Sequence, residues 1–131
     1  MPDKRQTITR ELIKNMIERY LEASSNRDAA GVASLFVPNA NLTMSGETWV
    51  GQDEIRTHLE IEFADPHHTA PLTEIEDIDF DAAGVSAMVR ERYTSQAGTT
   101  VTHGHAYMHV ELVDDEVKIR AEVVIVRKCR D

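Results

Sequence analysis

The chain has 131 residues, 41% of them hydrophobic, and a formal charge of −9. That length suffices for one domain with a core, and the apolar share excludes intrinsic disorder. The acidic balance argues against nucleic acid or an anionic membrane as partner, and no apolar run reaches membrane-spanning length.

In chain order, Ile8, Leu12, Ile13, Met16, Ile17, Tyr20 and Leu21 recur at helical spacing and predict a first helix over Thr9–Ser24, capped by Thr7 or Thr9. Asp28 caps a second helix that buries Val32, Leu35 and Phe36 and stops at Pro38. A short strand follows over Ala40–Met44, then a turn at Ser45–Gly46–Glu47 that leads to Trp49. Gly51 opens a third helix over Gln52–Phe63, with Ile55, Leu59 and Phe63 on one face and His58 in solvent. A connector carrying Pro66, His67 and His68 leads into four strands: Thr69–Phe80, Val85–Ser95, Thr100–Val113 and Val117–Lys128. Gly84, Ala97–Gly98 and Asp114–Glu116 are their turns, and such short loops imply antiparallel pairing. The expected class is α+β: a curved antiparallel sheet with three N-terminal-half helices on its concave face, enclosing a pocket. Residues 1–131 form a single domain, with residues 1–6 flexible.

The single cysteine, Cys129, allows no internal disulfide, and no signal core precedes the first helix. Both point to a cytoplasmic protein. The acids at Glu74, Glu76, Asp77, Asp79 and Asp81, and at Asp114, Asp115 and Glu116, read as a solvated strand edge and a turn rather than a cation site.

On the third long strand, His103, His105, Tyr107, His109 and Glu111 share one face, and Gly104, Ala106, Met108, Val110 and Leu112 share the other. The apolar side belongs under the helices, so the histidines face outward, to solvent or a second subunit. As an interface they would make association pH-sensitive. A bulge at Gly104 could re-aim one of them into the pocket, and a metal on His103, His105 and His109 is the remaining reading.

Several segments together resemble the SnoaL-like branch of the nuclear transport factor 2 superfamily. They are Ile17-Glu-Arg-Tyr20-Leu-Glu22, Asp28-Ala-Ala-Gly-Val-Ala-Ser-Leu-Phe36, Asn39-Ala-Asn-Leu-Thr43, Trp49-Val-Gly-Gln-Asp-Glu-Ile55, His67-His68-Thr69 and the hairpin at Asp114. The resemblance covers nearly the whole chain. It implies a cone-shaped α+β fold with a deep apolar pocket, often dimeric, whose members include ketosteroid isomerase, scytalone dehydratase, limonene epoxide hydrolase and polyketide cyclases. Tyr20 matches the oxyanion-stabilising tyrosine of ketosteroid isomerase, but that family's catalytic acids fall on Met44 and near Ala106. Scytalone dehydratase is a closer partial match. It shares the tyrosine at Tyr20 and a histidine at His68, or at His67 with a one-residue shift. Its aspartate falls on Leu21 and its second histidine near Arg90. The Asp-Arg-Asp set of limonene epoxide hydrolase finds only Arg90 and Arg92 with Glu91 and Glu122 as acids, and alternation separates Arg90 from Glu91.

The candidate catalytic residues are therefore Tyr20, to polarise a substrate oxygen, and His68, to move a proton. Met44, Trp49, Leu59, Phe63, Met88, Arg90 and Met108 are candidate ligand contacts, with Arg90 and Arg92 on the face of Met88. An arginine there would need a carboxylate or an anionic ligand. No phosphate loop, Cys-x-x-Cys pair, nucleophile elbow or His-Glu-x-x-His motif occurs, so no cofactor and no metal is expected. The resulting expectation is a cofactor-independent dehydratase, isomerase or cyclase acting on a hydrophobic, oxygenated molecule and paired as a homodimer through the outer sheet face. A non-catalytic ligand-binding or dimerisation module is the alternative.

Overall fold

The computed structural model describes residues 7–97 and 100–128. The expectations for residues 1–6, for Gly98 and for Cys129 lie outside the described residues. Three helices, α1 (Arg10–Ser25), α2 (Ala29–Ala33) and α3 (Gln52–Ala64), pack on a curved, unclosed six-stranded sheet. Its strands are β1 (Phe36–Met44), β2 (Glu47–Val50), β3 (Leu72–Phe80), β4 (Ser86–Ala97), β5 (Thr100–Val113) and β6 (Glu116–Lys128), in the order β2-β1-β6-β5-β4-β3.

The helices start where side chains take up free backbone donors. Thr9 accepts from the Leu12 amide at 3.2 Å, and Asp28 accepts from the Gly31 amide at 2.9 Å. Their apolar faces (Ile13, Met16 and Ile17 on α1; Ile55, Leu59 and Phe63 on α3) close over Val89, Met108, Val110 and Ile119 of the sheet. The second helix is shorter than the spacing predicts. Leu35 and Phe36 are buried, but Phe36 begins β1, and Pro38 lies inside that strand. Proline is tolerated because the pairing with β6 breaks between Phe36 and Asn41, so its missing N–H falls in the gap.

β2, also not anticipated, closes a hairpin on β1 through Ser45 and Gly46, whose φ values of 54° and 82° suit a two-residue turn matched to strand twist. Asp114 and Asp115, at 49° and 66°, make the same kind of turn between β5 and β6, so this part of the acidic run is a hairpin tip. β3 starts at Leu72, not Thr69, because Pro71 cannot donate to a ladder. β3 to β6 are antiparallel neighbours as expected. β1 and β6, distant in sequence and outside hairpin logic, pair in parallel and make the sheet mixed.

One irregularity positions the site. Val110 pairs with Ile119 and His109 with Ala121, so Arg120 is an extra residue on β6. Before it, Val117 and Ile119 face the helices; after it, Glu122 and Val124 do. The bulge therefore lies at Arg120, whose guanidinium donates to Asn39 Oδ1 at 2.7 Å, and not at Gly104. Gly104 has a different role: a Cβ there would overlap the Ile125 carbonyl oxygen and come within 2.8 Å of Val126 Cα.

Candidate active site

A cavity of about 40 Å³ lies between α1, α3 and the concave sheet face. Its apolar wall includes Ile17, Leu42, Leu59, Phe63, Met108 and Val124. Ala106, buried on β5, lines the cavity between the strands that carry Glu91, its register partner on β4, and Glu122, which pairs with the next inward residue, Met108, on β6. Both carboxylates face in, at 2% and 5% exposure.

Tyr20, reaching in from α1, donates its hydroxyl hydrogen to Glu122 Oε1 at 2.9 Å. Burial, reinforced by Glu91 and then Glu62, pushes the Glu122 carboxyl up to about 8, against the opposing pull of the Tyr20 hydrogen bond. Glu122 is thus predominantly the neutral acid at pH 7, despite the Tyr20 hydrogen bond, which favours its ionised form. Burial also raises Glu91, partly offset by Thr73 beside it, and the Glu91 Oε2 atom has no hydrogen-bond partner. Burial raises Tyr20 well above its ordinary value, with Glu122 adding to the effect, and lifts Tyr93, another lining residue, to about 12.

His68 enters from the connector. Its ring leans on Phe63, with centroids 4.7 Å apart, and its buried Nε2 lines the cavity without a partner. Arg27 holds that connector. Sitting at φ 55° in the α1–α2 turn, it donates to the carbonyl oxygens of Phe63, of Asp65 at 3.0 Å and of His68 at 3.3 Å. Replacing Arg27 with alanine is expected to lower stability by about 1–2 kcal/mol and to speed amide exchange over residues 65–69 while sparing α1. Unchanged exchange in that segment would show that the clamp is inert.

The family model of the SnoaL-like domain matches residues 5–130. This chain belongs to the SnoaL-like family. No curated protein matches it. Among solved structures, the SnoaL-like chain is similar to an NTF-2 like protein of unknown function from Shewanella oneidensis (19% identity, TM-score 0.77, 87% of this chain and 96% of that one). It is also similar to a protein provisionally named a scytalone dehydratase from Novosphingobium aromaticivorans (17% identity, TM-score 0.72, 92% and 83%). A third is a ketosteroid isomerase-like protein from Erwinia carotovora (16% identity, TM-score 0.75, 95% and 100%). At these identities the likenesses speak for the fold.

Of the residues singled out in the sequence, this SnoaL-like domain brings Tyr20, His68, Met44, Leu59, Phe63 and Met108 to the cavity. Three others lie elsewhere. Met88 is 50% exposed on the outer face, because Ala87, Val89 and Glu91 are the inward residues of β4. Arg90 points outward with it, and Glu76 on β3 takes Arg90 at 3.5 Å, Arg92 at 3.1 Å and His105 at 3.1 Å. Trp49 stacks on His58, centroids 3.5 Å apart, in a surface groove outside the cavity. His58 is accordingly not solvated as expected: its side chain is 18% exposed, with Nε2 3.3 Å from Glu62 Oε2. His67 is exposed. The histidine stripe lies on the outer face, with Ala106, Met108 and Val110 buried opposite.

Ser24, Glu62, Thr73, Glu91, Tyr93 and Glu122 complete the polar lining, and none was a candidate site residue, Glu91 and Glu122 having entered only as acids in the poor epoxide hydrolase match. Alternation read with Tyr93 and Val89 as the inward set would have found Glu91. Glu122 carries no such signal, because the bulge that turns it inward leaves no mark in the residue pattern.

Proposed function

We propose that this protein is a cofactor-independent acid–base enzyme, of lyase or isomerase type, acting on a small hydrophobic, oxygenated molecule. The observation that carries this reading is a buried carboxyl, Glu122, held neutral at pH 7 and hydrogen-bonded by Tyr20, in the same cavity as the unpartnered imidazole nitrogen of His68. Glu122 supplies a proton to a substrate oxygen, with Tyr20 positioning it. His68 takes a proton from carbon, as dehydration and enolisation both require. The distant likeness to proteins named after a scytalone dehydratase and a ketosteroid isomerase supports this class of chemistry without specifying a substrate.

The test is exchange of the acidic C–H protons of small hydroxyketones for deuterium, followed by NMR. The native protein is expected to catalyse exchange, and His68→Ala to slow it by about 10²–10⁴-fold, with Tyr20→Phe impaired as well. Exchange undiminished in both variants would remove the proposal.

Non-catalytic ligand binding is the second reading, favoured by size. The cavity of about 40 Å³ is far below the roughly 300–1,000 Å³ of sites for drug-sized ligands. On the outer sheet face, exposed Met88, Tyr107, Val123 and Ile125 form the surface on which a second copy would pack, a matter for sedimentation.

A further inference from the structure

We infer that the cavity selects ligands carrying a protonated amine, whose ammonium group sits between Glu91 and Glu122. This rests on the reading of the cavity as a ligand site and specifies the charge of what enters it. The argument begins with the groups that face the space. They are Tyr20 from α1, Glu62 from α3, His68 from the connector, Thr73 from β3, Glu91 and Tyr93 from β4, and Glu122 from β6. Three are carboxyl groups, and no lysine or arginine among the described residues lines the cavity. Arg90 and Arg92, which flank Glu91 on β4, point outward to Glu76, and the Arg27 guanidinium is committed to backbone carbonyls.

Glu91 makes the arrangement unusual. It is 2% exposed, lines the cavity, and leaves Oε2 without a partner. A buried acceptor in that state costs free energy that a single ligand donor would recover. A buried negative charge in that state also calls for a positive one. An ammonium group meets both needs, since it has three donors and a full charge, and Glu91 and Glu122, which interact electrostatically, line the one cavity from the strands on either side of Ala106. An anionic ligand would meet three acids and no cation.

Binding of a cation also favours the ionised form of Glu122, so an amine occupies the site as a ligand and not as the oxygenated substrate that Glu122 protonates. A carboxyl raised to about 8 is protonated in the empty site at pH 6, so binding there must displace a proton. Affinity for an amine therefore rises with pH and levels off above about 8.

Propylammonium, n-propanol and propionate, matched in size, are the probes, with NMR shifts of the Ala106 and Met108 methyl groups in the full-length protein as the readout. The expected result is propylammonium binding at least about tenfold tighter than n-propanol. Its affinity climbs between pH 6 and 8, and propionate leaves the methyl groups unmoved. Glu91→Gln loses the preference for the cation, and Glu122→Gln loses the pH dependence. If n-propanol or propionate binds as well as propylammonium, the charge assignment is overturned while the cavity remains a ligand site. If none of the three moves those methyl groups, the amine inference is likewise overturned. The acid–base proposal then stands or falls separately on deuterium exchange.

Discussion

Replacing Glu122 with glutamine is expected to make the protein more stable at neutral pH while abolishing any proton transfer that depends on the acid. The carboxyl titrates at about 8 in the folded chain against an ordinary value of 4.5. Between those values the folded state holds a proton that the unfolded state has released, so stability falls as pH rises through that window. At about 1.4 kcal/mol per unit, the cost reaches roughly 3 kcal/mol at pH 7. Glutamine keeps the shape and an oxygen for the Tyr20 hydroxyl, but it does not titrate. Native and variant proteins should be similarly stable near pH 4.5 and diverge steadily up to pH 8, as measured by urea unfolding at a series of pH values. Parallel stability curves across that range would show that Glu122 is not held neutral by the fold. A residue whose removal stabilises the protein is what a site kept for function looks like.

Gly104→Ala is expected to destabilise the protein by about 3 kcal/mol, the scale of a forced overlap in a packed region. The added methyl group meets the backbone of β6 at Ile125 and Val126, which cannot swing aside as a long side chain can. His105→Ala, one residue away and exposed, is the control and should stay within about 0.5 kcal/mol. Thermal unfolding of the two variants separates a close-packed glycine from a merely flexible one, and equal melting temperatures would refute the assignment.

The fold was largely legible because its elements carry clean periods. The α1 stripe from Ile13 to Leu21 and the alternation of β5 across Thr100–Val113 each admit one interpretation. Where local rules were overridden, the cause was tertiary. Pro38 reads as a helix stop, yet the interrupted pairing of β1 makes room for it in a strand. Half of the candidate site was legible through the family resemblance, which singled out Tyr20 on the apolar stripe of α1 and His68 at the entry to the sheet. Its acids were not. On β4, Ala87, Met88 and Val89 are consecutive apolar residues, so hydrophobicity alone does not choose a phase, and favouring Met88 sent Glu91 outward on paper. On β6 the extra residue at Arg120 reverses the alternation, so a glutamate that counting places in water lies at 5% exposure beneath a helix.

Ala106 bears on how such a protein could change over time. It has no titratable group, yet its methyl lines the cavity between the strands that carry two acids. A bulkier residue there would shut out a ligand and glycine would admit a larger one, with Glu91 and Glu122 left in place. The size of what the cavity admits can therefore drift by single substitutions at one chemically silent position, without rebuilding the acids.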